Sequence, residues 1–217
     1  IGYDKIPATP LPAFQKTPEI NAEFYAAEKA REELIAEGYS EVLTSVFAET
    51  GERTVLNKVD GVKPHLRQDL KTGLLEAWQK NQPNKDLLGL KEIKLFEIGT
   101  VWASGQEEMH VAMVDGKGKV DEKKLEPIQA DTYEHFSLSA ASQYKPFSRY
   151  PYIVRDVALW VPTGTTEQQV QETIEKNAGS LCVKVSLFDR FQKGDKTSLG
   201  YRLIFQSFER TLTEVEV

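Results

Sequence analysis

The chain has 217 residues and 24.5 kDa, with 40% hydrophobic and 28% charged side chains, which suits a globular chain of one large or two small domains. Its 27 Lys+Arg against 33 Asp+Glu leave a net charge of −6, which argues against broad binding to nucleic acid while saying nothing of local patches. No apolar run approaches the ~18 residues of a membrane span, the opening Ile1-Gly2-Tyr3-Asp4-Lys5 has no secretory pattern, and the lone Cys182 cannot form an internal disulfide, so a cytoplasmic location with no membrane contact is expected.

In chain order, Pro7, Pro10, Pro12 and Pro18 make the first eighteen residues an extended lead-in. Thr17-Pro18 predicts a helix start, with Ile20, Phe24, Ala27, Leu34 and Ile35 as its apolar stripe and Gly38 as its stop. Tyr39–Phe47 reads as a strand, and Leu66, Leu70, Leu74, Ala77 and Trp78 mark a second amphipathic helix. Residues 93–102 form a strong strand, returned by Met109–Val114 after a turn at Ser104-Gly105. The seven charged residues between Lys117 and Glu126 predict a loop or boundary, and 133–138 a short strand. A domain break is expected near 143–151.

Beyond it the pattern is β-α-β-β. Arg155–Val161 is a strand with Val157, Leu159 and Val161 on one face, and Thr165 or Thr166 caps a helix striped by Val170, Ile174 and Ala178 and stopped by Gly179. Leu181–Phe191 and Ser198–Gln206 are strands joined at Lys193-Gly194-Asp195, with Val183, Val185 and Leu187 expected to point inward. Thr213-Glu214-Val215-Glu216 is a capping box that announces another helix. This is most of a split βαβ, ferredoxin-like module, which predicts that the chain is a fragment.

Catalytic chemistry finds little support. His65, His110 and His135 are far apart, and no phosphate loop, nucleophile elbow or zinc motif occurs. No metal or catalytic residue is assigned, and Cys182 reads as a small core residue. The charge is uneven instead: residues 1–144 hold 17 basic and 24 acidic side chains, while residues 145–217 hold 10 and 9. Lys184, Arg190, Lys193, Lys196 and Arg202 cluster in the second part, which fits either a solvated hairpin or a polyanion contact. Strand parity places Phe188 and Phe191 on opposite faces. Phe191 either plugs the core edge or offers its ring to an unpaired base, and the residues leave both readings open.

Eight ordered segments carry a resemblance: I-G-Y-D-K-I-P (1–7), G-Y-S-E-V (38–42), L-R-Q-D-L-K-T-G-L-L-E-A (66–77), L-F-E-I-G-T-V-W (95–102), Y-P-Y-I-V-R-D-V-A-L (150–159), L-F-D-R-F (187–191), K-T-S-L-G-Y-R-L (196–203) and E-R-T-L-T (209–213). They resemble the bacterial phenylalanyl-tRNA synthetase beta subunits. The resemblance implies an α+β chain in three parts. Residues 1–17 would be a linker from a preceding helix-turn-helix-like domain. Residues 18–144 would be a class II synthetase-like antiparallel sheet module that is catalytically silent, and 145–217 an incomplete ferredoxin-fold (βαββαβ, truncated) anticodon-binding domain.

The family works as an (αβ)2 heterotetramer whose alpha subunit activates phenylalanine with ATP and Mg2+; the fragment itself is expected to hold no cofactor and to be inactive alone. Its partners would be the alpha subunit and tRNA-Phe. The aromatic after the F-D pair carries over to Phe191 as the ring stacking on the first anticodon base. Arg190, Lys193, Lys196 and Arg202 are candidates for phosphate contact, while Phe24, Leu34, Leu70, Leu74 and Trp78 would serve the subunit interface or the core. The silent module is also readable in residues: Ala103, Ser104, Gly105 and Gln106 stand where class II enzymes carry an arginine that clamps the ATP α-phosphate. Two departures stand out. The stretch from Trp102 to Tyr150 is shorter than is usual in the family, and Phe191 replaces a frequent tyrosine. The alternative from another class is a non-enzymatic scaffold or regulatory protein whose ferredoxin-like module binds no RNA.

Overall fold

The computed structural model describes residues 2–13, 19–57, 61–132, 146–162 and 164–217. The expected cap at Thr17-Pro18, the strand at 133–138, His135 and the break at 144–145 lie outside the described residues. In chain order the elements are α1 (Ala22–Ala36), β1 (Ser40–Glu41), β2 (Phe47–Ala48), β3 (His65–Leu66), α2 (Lys71–Asn81), α3 (Lys85–Leu88), β4 (Leu95–Ala103), β5 (Gln106–Val114) and β6 (Val120–Lys124). They are followed by β7 (Ile153–Pro162), α4 (Glu167–Asn177), β8 (Cys182–Lys193) and β9 (Lys196–Phe205). The chain packs as two compact units: one draws on Ile1–Lys71, Phe96–Met113 and Asp121–Ser137, the other on Thr72–Leu95, Val114–Val120 and Leu138–Val217. None of the helices among the described residues is long and apolar enough to cross a membrane.

The first unit is built on a four-stranded sheet in the order β1-β4-β5-β6, with α1 on one face. Asn21 caps α1, its side chain accepting from the Phe24 amide at 2.9 Å. The helix therefore starts later than the sequence predicts and presents Tyr25, Ala26 and Leu34 inward, leaving Phe24 and Ile35 exposed. Ala26, Ala27 and Ala30 let the helix approach Phe96, Ile98, Val111 and Leu125 closely. The tight Ser104-Gly105 turn between β4 and β5 has both residues at positive φ (53° and 73°), the geometry that matches the twist of a two-residue hairpin.

Two expectations fail here for identifiable reasons. The strand expected over Tyr39–Phe47 breaks in two: Val42 still donates to the Phe96 carbonyl, but Thr44 then turns inward, its amide and hydroxyl both donating to the Glu97 carboxylate at 3.1 and 2.7 Å. The charged stretch expected as a loop contains β6 at the sheet edge, where charged side chains discourage pairing with other chains. There Glu122 accepts from the Leu70 amide at 3.2 Å and contacts His110 Nδ1 at 2.8 Å.

Arg67 and Glu97 form a buried ion pair at 2.7 Å, with side chains only 8% and 1% exposed. Arg67 Nε also donates to the Thr100 carbonyl at 2.9 Å, and its own backbone bridges Val46 and Trp102. Removing a buried charge from water is costly, so the pair persists only because each of these polar groups finds a partner. Leu34, Leu70 and Leu74 are buried within the chain, and Trp78 is partly buried with its Nε1 donating to the Ile93 carbonyl at 2.9 Å. Leu66 lies in β3 rather than in the second helix.

In the second unit, β9 is the central strand of a three-stranded antiparallel sheet ordered β7-β9-β8. Thr166 caps α4 in a reciprocal capping box with Gln169. Its stripe of Val170, Ile174 and Ala178 packs with Leu199, Tyr201, Leu203 and Phe205 of β9. Cys182 joins this core, and burial pushes its thiol pKa up. The capping box at Thr213 and Glu216 forms as expected, but the turn it starts is a short 3-10 turn, Glu214–Glu216.

Glu97→Ala leaves the Arg67 charge buried without its partner, and we expect it to destabilise the chain by about 3–5 kcal/mol, read as a lower urea midpoint. The double change Arg67→Met with Glu97→Leu should recover much of that loss.

Candidate nucleic-acid interface

Directly paired residues on neighbouring strands share a face, so the register around β9 sorts every side chain of this sheet. Thr197, Leu199, Tyr201, Leu203 and Phe205 face α4, while Lys196, Ser198, Gly200, Arg202 and Ile204 face away from it. Across from the second set stand Trp160, Ala158 and Asp156 of β7 and Phe191, Asp189, Ser186 and Lys184 of β8.

Two one-residue bulges in β8 reset its parity, at Val183 and at Phe188. The first turns Val183 out to solvent while Val185 and Leu187 reach the core, correcting one of the three expected inward residues. The second overturns the expectation that Phe188 and Phe191 lie on opposite faces. Phe191 pairs with Ser198, and the bulged Phe188 lies over Gly200, where an added Cβ would meet its ring at 3.1 Å. Its ring also lies 5.2 Å from the Arg202 guanidinium, a cation–π contact. Trp160, Phe188 and Phe191 are between 53% and 56% exposed, so the face away from α4 carries three large rings around the small residues Ala158, Ser198 and Gly200.

The far end of that face is covered. Ile204 is fully buried, and residues 83–87 are fastened there by Tyr152 Oη donating to the Pro83 carbonyl, Lys184 Nζ to Leu87 O at 3.2 Å, and Arg202 to Asp86 at 2.9 Å. Arg202 also holds Asp156 through two hydrogen bonds of 2.8 and 2.7 Å. Arg202, a candidate for phosphate contact from the sequence, has its guanidinium bound to two carboxylates, which ties β7 and residues 83–87 to β9. Arg190 pairs with Leu199 and therefore sits on the α4 side, ion-paired to Glu167 at 3.0 Å. It too is removed from the aromatic face. Lys193 and Lys196 are exposed and face each other across the hairpin tip. Phe24, the remaining interface candidate, is exposed on α1.

The register puts Phe191, Lys193 and Lys196 on one face near the hairpin tip; sequence reasoning missed Trp160, whose neighbour is visible only once β7 is paired with β9. Among the described residues no group of three or more His, Cys, Asp or Glu could hold a metal. The residues after β4 add no cation, and Arg67 is spent on Glu97.

A sheet of this order, with one face covered by a helix and the other bearing exposed rings, is the kind of surface that binds unpaired bases. The family model described as the ferredoxin-fold anticodon binding domain matches residues 148–217, which contain the whole β7-α4-β8-β9 sheet. The model for the phenylalanyl tRNA synthetase beta chain CLM domain matches residues 6–137, more than half of the chain. The chain belongs to the phenylalanyl-tRNA synthetase beta chain family.

Similar curated proteins include the chloroplastic/mitochondrial phenylalanine–tRNA ligase of Arabidopsis thaliana, 39% identical over 77 residues, which are 35% of this chain and 18% of that protein. The phenylalanine–tRNA ligase beta subunit of a Synechococcus strain is 27% identical over 128 residues, 54% of this chain and 16% of the relative. That of Listeria monocytogenes is 40% identical over 78 residues, 34% and 10% respectively. The chain thus spans a fifth or less of these relatives.

The Arg202 guanidinium, by hydrogen bonding, holds the Asp156 carboxyl below its usual pKa range. A depressed folded-state value means the contact contributes stability above the ordinary aspartate value of about 4 and is lost as pH falls through the depressed one. NMR titration should find the Asp156 midpoint below that of a solvated aspartate, and Arg202→Gln should return it upward.

Proposed function

We propose that the chain is the noncatalytic part of a bacterial-type phenylalanine–tRNA ligase beta subunit that supports (αβ)2 assembly and binds the tRNA-Phe anticodon through the aromatic face of the β7-β9-β8 sheet. The observation that carries this reading is the exposed Phe191 ring, set on the face away from α4 and beside the Lys193–Lys196 hairpin tip. A planar ring stacks on any unpaired base, and such a stack contributes ~1–3 kcal/mol. The lysines add the sequence-independent attraction of the phosphate backbone. The family match at 148–217 and the names of the similar proteins favour an anticodon as the RNA bound.

In this reading residues 18–144 form a class II synthetase-like module without catalysis, preceded by a linker at 1–17 and followed by the anticodon-binding domain at 145–217. The alpha subunit, its partner in the heterotetramer, activates phenylalanine with ATP and Mg2+ in the cytoplasm. What supports a silent module is the electrostatics: adenylate formation draws its main assistance from cations on the phosphates, and Ala103-Ser104-Gly105-Gln106 supply none.

Phe191→Ala should weaken binding of a tRNA-Phe anticodon stem-loop about tenfold with an unchanged thermal midpoint. Replacing Lys193 and Lys196 by alanine should flatten the slope of log K against log salt by about 1.5. Unchanged affinity in a folded Phe191→Ala variant rejects the assignment. The chain alone should give no phenylalanine-dependent ATP–pyrophosphate exchange, and measurable exchange would contradict the silent module.

A further inference from the structure

Phe191 sits near the tip of β8, an edge strand of its sheet among the described residues. An exposed side chain there samples several rotamers, and stacking on a base forfeits that freedom. One contact limits it: the Trp160 and Phe191 rings meet edge-to-face, with centroids 6.3 Å apart and planes at 80°. The two residues come from the two outer strands, and each pairs with Ser198 of β9. Outer strands lie roughly 9–10 Å apart, so the rings can meet only because the residue between them is small. Edge-to-face contact is a favoured aromatic geometry, and it holds the Phe191 ring at a defined tilt before any ligand arrives. Phe191 has no phenolic oxygen with which to anchor itself, so its orientation has to come from packing.

We infer that Trp160 is a positioning residue for RNA recognition: it pre-sets the Phe191 ring for stacking, acting through that ring rather than on the base. This inference rests on the reading of Phe191 as the base-stacking residue. Its signature is non-additivity, because a residue that works only through Phe191 has nothing left to do once that ring is gone.

The test measures the affinity of the full chain for a 17-nucleotide tRNA-Phe anticodon stem-loop at fixed salt, with circular dichroism and the thermal midpoint as folding controls. Trp160→Leu should weaken binding about fivefold, since it keeps apolar bulk but loses the ring edge. Trp160→Phe should restore affinity to within about twofold of the unaltered chain. In the Phe191→Ala background, Trp160→Leu should cost nothing further. A folded Trp160→Leu chain with unchanged affinity overturns the inference. So does an equal fivefold loss in the Phe191→Ala background, which would make Trp160 a direct and independent base contact. If Trp160→Leu fails to fold, Trp160→Val, which also lacks a ring edge and suits a strand, carries the same cycle, with the same two outcomes against it. The underlying reading fails in a different way: Phe191→Ala then leaves binding unchanged, or the unaltered chain does not bind the stem-loop at all.

Discussion

Everything about the proposed RNA face follows from the pairing of β9 with the strands on either side. Its alternate residues divide into a set that packs on α4 and a set that does not, and each neighbouring strand inherits that division through its register. A slip of one residue would bury Ser198 and Arg202 and expose Leu199 and Tyr201. The apolar set therefore holds the polar one in place. Tyr201 reinforces the register from the inside, its hydroxyl donating to the Glu167 carbonyl at 2.7 Å in the first turn of α4.

Charge is distributed on the same logic. The chain carries an acidic excess, and several of its basic side chains are already answered by carboxylates: Arg67 by Glu97, Arg31 by Glu28 and Glu41, Arg190 by Glu167, Arg202 by Asp86 and Asp156, and Arg210 by Glu216. A guanidinium that is already bidentate on one carboxylate offers little to a phosphate. In the proposed reading, recognition on this face therefore leans on rings rather than on cations, with Lys193 and Lys196 supplying the local positive potential that the net charge conceals. That division suits a surface that reads unpaired bases, where stacking tolerates any base and the lysines follow the backbone.

Much of the fold was legible in the residues themselves, because its signals are local. The Thr166 capping box, the α4 stripe of Val170, Ile174 and Ala178, the turns at Ser104-Gly105 and Gly194, and the alternation of β9 each depend on spacing within a few residues. The resemblance in eight segments pointed to the family for the same reason, since short motifs survive in a sequence whatever surrounds them. Phe191 could be singled out because it sits beside a basic turn.

What only the tertiary structure decided involves partners far apart in sequence or a single extra residue. The bulge at Phe188 changes which face that ring occupies, and nothing in L-F-D-R-F announces it. Trp160 acquires its neighbour across two strands, Arg202 is diverted by Asp86 more than a hundred residues earlier, and Thr44 leaves its strand for a glutamate 53 residues away. The sequence by itself determined α4, the strands β7, β8 and β9, the turns between them and the family they compose, because periodicity and capping act over a few residues; it did not determine the break within Tyr39–Phe47 or the strand β6. Which ring, cation or carboxylate meets which was left to tertiary packing, because a side chain's partner is set by register and burial, and these exist only once the strands are paired.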